Sequence, residues 1–491
     1  MRLLIVTTLF LFTFLQADAP WIANIRVSTD EPWDTLNQGE SCFAVYGDSI
    51  FSICNTAERG DVANAPYAYS FDAGQTFAQI PFIDLAPGIT WHTDPVIGVD
   101  DSGHVHLLMQ YSAILMRHYL SRDGGLTWCD TIQVHPYSGV DKPWMIVHNN
   151  NVYISWQQVG GDTLGIWFAK STDYGQSFTA HHIWNRRYIN ALGMDENENL
   201  HLMLVALGGV VYYRKSTDHG DTWLPEVYLG SWSYDPSYGD RAPINSITAR
   251  GNVVFGTWVN NAVGGWNILG VRSTDGGTTW CAPFVVNDIT AGGQCKGWSH
   301  FDAYGGLHVI YYHTDDWPTS VSSIWELRYQ YSPDSGATFN PSIRVSDTTF
   351  VSHANFMGEY HICLSDSEYL YAIWTDGRNG DDNDLYFSKA LLSELGVKEI
   401  PTVLARHQKI LRTSTIWRGN VTLEIRKNTI PVDIRIYNIA GQVVGNIYHG
   451  DVSSDLALKL NSNDFPKGII FLRASCQDKH EVTKIINLGG R

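Results

Sequence analysis

STDHGDTW, Ser216 to Trp223, is one of six copies of a single pattern, Ser-x-Asp-x-Gly-x-(Ser/Thr)-(Trp/Phe), and the spacing of the copies decides the fold. The others read SFDAGQTF (Ser70 to Phe77), SRDGGLTW (Ser121 to Trp128), STDYGQSF (Ser171 to Phe178), STDGGTTW (Ser273 to Trp280) and SPDSGATF (Ser332 to Phe339). Their aspartates, Asp72, Asp123, Asp173, Asp218, Asp275 and Asp334, stand 51, 50, 45, 57 and 59 residues apart. A period of that length is one four-stranded sheet, and such repeats build propellers or solenoids. Inside the pattern a short carboxylate accepts backbone N–H bonds in a tight turn, glycine supplies a positive φ, and the hydroxyls add local bonds. β-prone runs flank each copy, such as IWFAK before and HHIW after the third, so the pattern reads as a hairpin turn.

These six turns resemble Asp-boxes, also called BNR repeats, of the kind found in sialidases and other secreted propellers. The resemblance implies an all-β propeller with its ligand site around the axis, on the face away from the boxes. It is specific for fold and weak for chemistry, because function resides in sites grafted onto folds.

A seventh unit lacks its box. The run DLYFSKALL, Asp384 to Leu392, aligns with GIWFAKSTD, Gly165 to Asp173, and places Leu392 where the aspartate would stand. Near the amino end IRVSTD, Ile25 to Asp30, repeats IRVSD, Ile343 to Asp347, the outer strand after the sixth box. Ile22 to Ser28 is therefore expected to cross to the last sheet and supply its missing fourth strand, covering an edge that would invite aggregation. The ring then has seven blades, with a six-bladed ring and one irregular segment as the alternative.

Residues 1–19, MRLLIVTTLFLFTFLQADA, have a basic start, an apolar run and small residues, which marks a secretory signal peptide. No later run reaches membrane-spanning length. The propeller is assigned to residues 20–395, a linker to 396–416 and a small β-sandwich to 417–491. Charge divides the same way: up to Leu395 the balance is −23, and from Gly396 it is +6. An acidic ring argues against nucleic acid as a partner. Seven cysteines leave at least one unpaired within the chain, and Cys281 with Cys295 is the one pair considered.

The last 75 or so residues carry short alternating strands and the strings IYNIAG, FPKGIIFLR and TKIINL. They resemble the carboxy-terminal sorting domain of the type IX secretion system. That implies the secretion machinery as a partner, and a protein released from the cell or held on its outer surface.

Candidate chemistry lies at the starts of the inner strands: NQGES (Asn37 to Ser41), TWHTDP (Thr90 to Pro95), GVDKPW (Gly139 to Trp144), NRRYIN (Asn185 to Asn190), YGDRAP (Tyr238 to Pro243), CKGWSH (Cys295 to His300) and SHANFMGEY (Ser352 to Tyr360). Sialidases hold a carboxylate with three arginines and use a tyrosine nucleophile backed by a glutamate, with an aspartic acid as proton donor. The resemblance therefore points to Glu359, Tyr360 and Asp94 as catalytic, with Arg187, Arg241, Arg59 and Arg378 on the substrate. The family's Arg-Ile-Pro string is absent, its nearest match being Arg26, which counts against true sialidase activity. These charges can equally serve bridges between sheets. Trp91, Trp144 and Trp298 can stack on sugars or cap the ring core. Trp156, Trp258 and Trp374 recur at one second-strand position and read as packing residues. No cofactor is required. The aspartates of residues 376–384 offer oxygen ligands for calcium, or form a solvated acidic turn. The expected partner is a glycan or glycoprotein, either cleaved or bound by a non-catalytic adhesin.

Overall fold

The computed structural model describes residues 20–29, 37–56, 65–82, 92–111, 114–161, 163–233, 245–261, 265–320, 322–353, 357–358, 360–380, 382–397, 411–413, 416–425, 428–438, 442–454, 456–476 and 479–489. Residues 1–19, read as the signal peptide, lie outside them. So do Arg59, Trp91, Arg241 and Glu359.

The regular structure of the described residues is almost entirely strand. Seven antiparallel sheets follow one another between residues 25 and 391. The third is representative, with strands Val140–His148, Asn151–Gln158, Gly165–Ser171 and Thr179–Trp184 in sequence order. Each sheet's first strand touches the first strand of the next, and Ile362–Ser365 of the seventh touches Gln38–Tyr46 of the first, so the series is a closed ring. Second strands are sandwiched on both faces, as their apolar runs require, and Trp156, Trp258 and Trp374 are completely buried there.

The seventh sheet takes its outer strand from the other end of the ring. Ile25 pairs with Phe387 and Arg26 with Tyr386. The twin string does the same in the sixth sheet, Ile343 with Tyr329 and Arg344 with Arg328. The likeness extends to side chains: Ser28 Oγ accepts the Leu385 N–H and Ser346 Oγ the Leu327 N–H, both at 3.0 Å.

In the third repeated turn Ser171 Oγ donates to Asp173 Oδ1 (2.6 Å), and the Gly175 N–H donates back to Ser171 Oγ (2.8 Å). Asp173 also accepts the Ser177 N–H and hydroxyl. The glycine has a second task. A Cβ on Gly175 would lie 2.1 Å from the His118 ring of the preceding sheet, and one on Gly125, Gly220 or Gly277 would collide with Tyr67, Phe168 or Tyr213. Gly74 meets Phe387 in this way and joins the first sheet to the seventh. The pattern is thus a hairpin turn and a clasp between sheets.

Beside these turns stand three buried relays: Asp195–His201–Tyr213, Asp302–His308–Tyr329 and Asp100–His106–His118. They share the acid–imidazole pair of a catalytic triad but not its Ser, Cys or Thr nucleophile, and their imidazoles are fully buried at the first hairpin of three sheets, where they tie two strands to a turn.

Acid should unfold the ring in two stages. Burial holds His118 well below the ordinary value of 6.5 and pushes His300 down to about 3. A depressed histidine contributes stability that is whole above its unfolded pKa and is lost as pH falls below it. The Thr222 hydroxyl and amide lower Asp218 to about 2 from 3.8, and Thr279 does the same for Asp275, so their contribution fades only below about pH 4. Urea midpoints measured from pH 8 to 3 should decline from about 6.5 and again below about 4; a midpoint flat down to pH 4 contradicts the histidine part.

The carboxy-terminal part is a sandwich of two sheets. Leu411–Thr413, within the stretch assigned as linker, pairs with Asn420–Ile425, which pairs with Leu456–Asn461. Five strands form the second sheet, where Ile416–Trp417 lies parallel to Lys479–Asn487. Trp417, Leu423, Ile434, Leu472 and Ile485 fill the space between. The one cysteine pair considered is not formed: Cys281 is exposed, Cys295 is buried in an inner strand, and neither is in a disulfide. Among the described residues no helix is long and apolar enough to cross a membrane.

Candidate functional site

Four inner strands share an irregularity near their starts. Register slips between Gly39 and Cys42, Thr93 and Val96, Asp141 and Trp144, and Cys295 and Trp298. At each bulge a charged residue adopts left-handed backbone: Glu40 (φ 54°), Asp94 (48°), Lys142 (50°) and Lys296 (57°). Without glycine each such conformation costs about 1 kcal/mol or more, a strain that concentrates at functional sites. Bulges re-aim side chains. Here they gather charge on the innermost strands, on the face opposite the repeated turns.

Three of the four charges meet. Lys142 Nζ lies 3.0 Å from Asp94 Oδ1 and 3.6 Å from Glu40 Oε1. Both carboxylates are almost wholly buried. Asn55 Nδ2 donates to Glu40 and to Thr93 Oγ1. Asp141, next to Lys142, accepts a hydrogen bond from Gln157 Nε2 at 2.8 Å. The Lys142 carbonyl accepts from Asn190 Nδ2, whose Oδ1 in turn accepts from Ser155.

Tyr360 enters from the seventh sheet. Its side chain is 6% exposed, and its hydroxyl has no hydrogen-bond partner among the described residues. Trp144 lies 5.9 Å from the Tyr360 ring and 4.8 Å from Trp298, centroid to centroid, with Ile189 and Tyr188 completing the cluster. The preceding turn fits tightly, since a Cβ on Gly358 would stand 2.0 Å from the Glu40 nitrogen.

Burial bears on three of these groups. Burial, and after it the charge of Asp94, raises the Asp141 carboxyl above the ordinary carboxylate range. Burial works against the Lys142 ammonium, but Asp94, Glu40 and Asp141 outweigh it and hold the group charged. Tyr360 is pushed well above the ordinary phenol value by burial and by Asp94 and Glu40.

The structure thus brings Asp94, Tyr360, Trp144 and Trp298 together and leaves the described arginines apart. Arg378 is spent on structure: it pairs with Asp376 (2.6 Å) and Asp347, donates to Asn24 Oδ1 (3.0 Å) and lies over the Tyr386 ring at 4.0 Å. Those partners lie on or beside the second, third and outer strands of the seventh sheet and the outer strand of the sixth. Arg187 is half-buried at the start of the fourth sheet, with no side-chain hydrogen bond among the described residues. In the acidic loop, Arg378 and Trp374 hold Asp376, while Arg26, Ser28 and Asn379 hold Asp384. Among the described residues no group of three or more His, Cys, Asp or Glu side chains can hold a metal ion.

Sequence reasoning did not single out Glu40, Lys142 or Lys296. Their signal was available: GESC, TDPV, DKPW and CKGW carry a charge at one offset, followed by Ser, Pro, Pro or Gly.

No curated protein matches the chain by sequence. Solved structures similar to it share little identity. A Dyadobacter fermentans protein of unknown function is 12% identical, with 75% of this chain and 98% of that one covered and a TM-score of 0.46. A polysaccharide lyase acting on ulvan is 12% identical, with 72% and 94% covered and a TM-score of 0.47. The endosialidase of phage phi92 is 12% identical, with 89% and 75% covered and a TM-score of 0.45. Residues 417–487 match the family model described as the secretion system C-terminal sorting domain. The protein is accordingly exported, and is either secreted or attached to the outer surface.

Proposed function

We propose that this protein is an exported, Asp-box glycan-active propeller that hydrolyses a glycosidic bond over the axial cluster. One observation carries the reading: two carboxyls share the buried cluster in different surroundings, Asp94 3.0 Å from the Lys142 ammonium and Asp141 bonded to Gln157 with its carboxyl raised above the ordinary range, chiefly by burial. A raised carboxyl beside a lysine-paired one is a division suited to acid and base. Asp141 gives its proton to the leaving oxygen as the glycosidic bond breaks. Asp94 either attacks the anomeric carbon or takes a proton from attacking water, according to its separation from Asp141. Tyr360 supplies a hydroxyl to the sugar, and Trp144 and Trp298 offer apolar faces. In a sialidase-type variant of the reaction Tyr360 would be the nucleophile, with its proton passing to Asp94 or Glu40.

A panel of fluorogenic glycosides, run beside immobilised glycans, tests the proposal. Asp141→Asn should lower kcat/KM by about 10²- to 10⁴-fold and remove the basic limb of the pH profile. Cleavage that survives loss of both Asp94 and Asp141 removes the assignment. A second reading, a non-catalytic glycan-binding adhesin, draws support from the contact of Trp144 with Trp298, which fills space at the axis with aromatic rings. It predicts binding without turnover, unchanged by Asp141→Asn.

A further inference from the structure

We propose that the axial site takes a non-acidic sugar, neutral or amino-bearing, and rejects glycans carrying carboxylate or sulfate; this rests on the glycan reading above. Three carboxyls, Glu40, Asp94 and Asp141, belong to the cluster, and of the two lysines at the bulges Lys142 is engaged by Glu40 and Asp94 together. An incoming carboxylate would meet an acidic site whose ammonium is already shared between two anions. A hydroxyl or an ammonium group would instead find acceptors.

The Tyr360 hydroxyl points the same way by a separate route. It is nine-tenths buried, lacks a partner among the described residues, and is close enough to Asp94, Glu40 and Asp141 to feel their charge. A phenol can both donate to and accept from a sugar hydroxyl or amine. Recognition of a carboxylate normally uses the planar guanidinium fork. Of the described arginines considered for that task, Arg378 is bound to Asp376 and Asp347, and Arg187 makes no contact with the cluster's acids. The whole ring adds a field of the same sign, with a charge of −23 up to Leu395.

Titration calorimetry on the full chain at pH 7 provides the test, with four probes: an N-acetylglucosamine oligomer, a glucosamine oligomer, sialyllactose and a glucuronate-containing oligosaccharide. The neutral or amino oligomer should bind at least about tenfold more tightly than either acidic one, and added salt should erode the amino oligomer's advantage. In Asp141→Asn the acidic probes should gain on the others. Tightest binding by an acidic probe overturns the substrate class and leaves the glycan reading standing. Failure of every probe, together with an empty glycan array, overturns both. The ranking on the unaltered chain decides the matter even where the variant does not fold.

Discussion

Exchange of Lys142 for methionine is expected to destabilise the ring by about 3–5 kcal/mol, the usual cost of removing one partner from a buried ion pair. Methionine keeps the stem and its packing but leaves Asp94 and Glu40, 1% and 2% exposed, facing one another without a counter-charge. The loss should depend on pH. Uncompensated carboxylates have folded pKa values above their unfolded ones, so protonation stabilises the variant, and its deficit should shrink as pH falls from 7 toward 5. Adding Glu40→Gln and Asp94→Asn should recover much of the loss, because neutral amides need no ammonium. Denaturant unfolding of the three proteins at both pH values measures this. A deficit under 1 kcal/mol at pH 7 would show that the cluster is solvated and the ion pair of little consequence.

The second large effect concerns the clasp. Gly277→Ala should cost about 2–4 kcal/mol, combining the left-handed penalty for an L-residue with overpacking. Gly277 has φ +89°, and a Cβ there would stand 2.0 Å from the Tyr213 hydroxyl. Tyr213 cannot easily retreat, since that hydroxyl also meets His201 Nδ1 at 2.7 Å. Gly251→Ala makes a good comparison: φ is +54° but nothing lies within 4 Å, so only the backbone penalty applies. Equal losses for the two variants would falsify the idea that these glycines are needed for contact between sheets.

What could be read in advance follows from where each interaction is encoded. The turns are legible because their bonds run between residues two and four apart, as from Ser171 to Asp173 and from Gly175 to Ser171. Pairing of Ile25 with Phe387 is long in sequence but announced by a copy of itself, since Ile25–Ser28 repeats Ile343–Ser346. The site is different. Glu40, Asp94 and Lys142 come from three sheets about fifty residues apart, and nothing local states that a bulge will turn them toward each other. Arg378 shows the opposite failure, a loop arginine that looked free for substrate and instead satisfies Asp376, two residues before it.

Arg26 reaches Asp384 across 358 positions of chain, and Ile25–Ser28 completes the last sheet of the ring. No part of that closure can form until residue 387 is available to the amino end. A polypeptide made or moved end-first must therefore hold an open arc, its first segment waiting, until nearly all of the ring has emerged. The sorting module begins only some thirty residues later. Completion of the circle and appearance of the export address are thus nearly the same event, so any machinery that reads the address meets a body that has just become able to close.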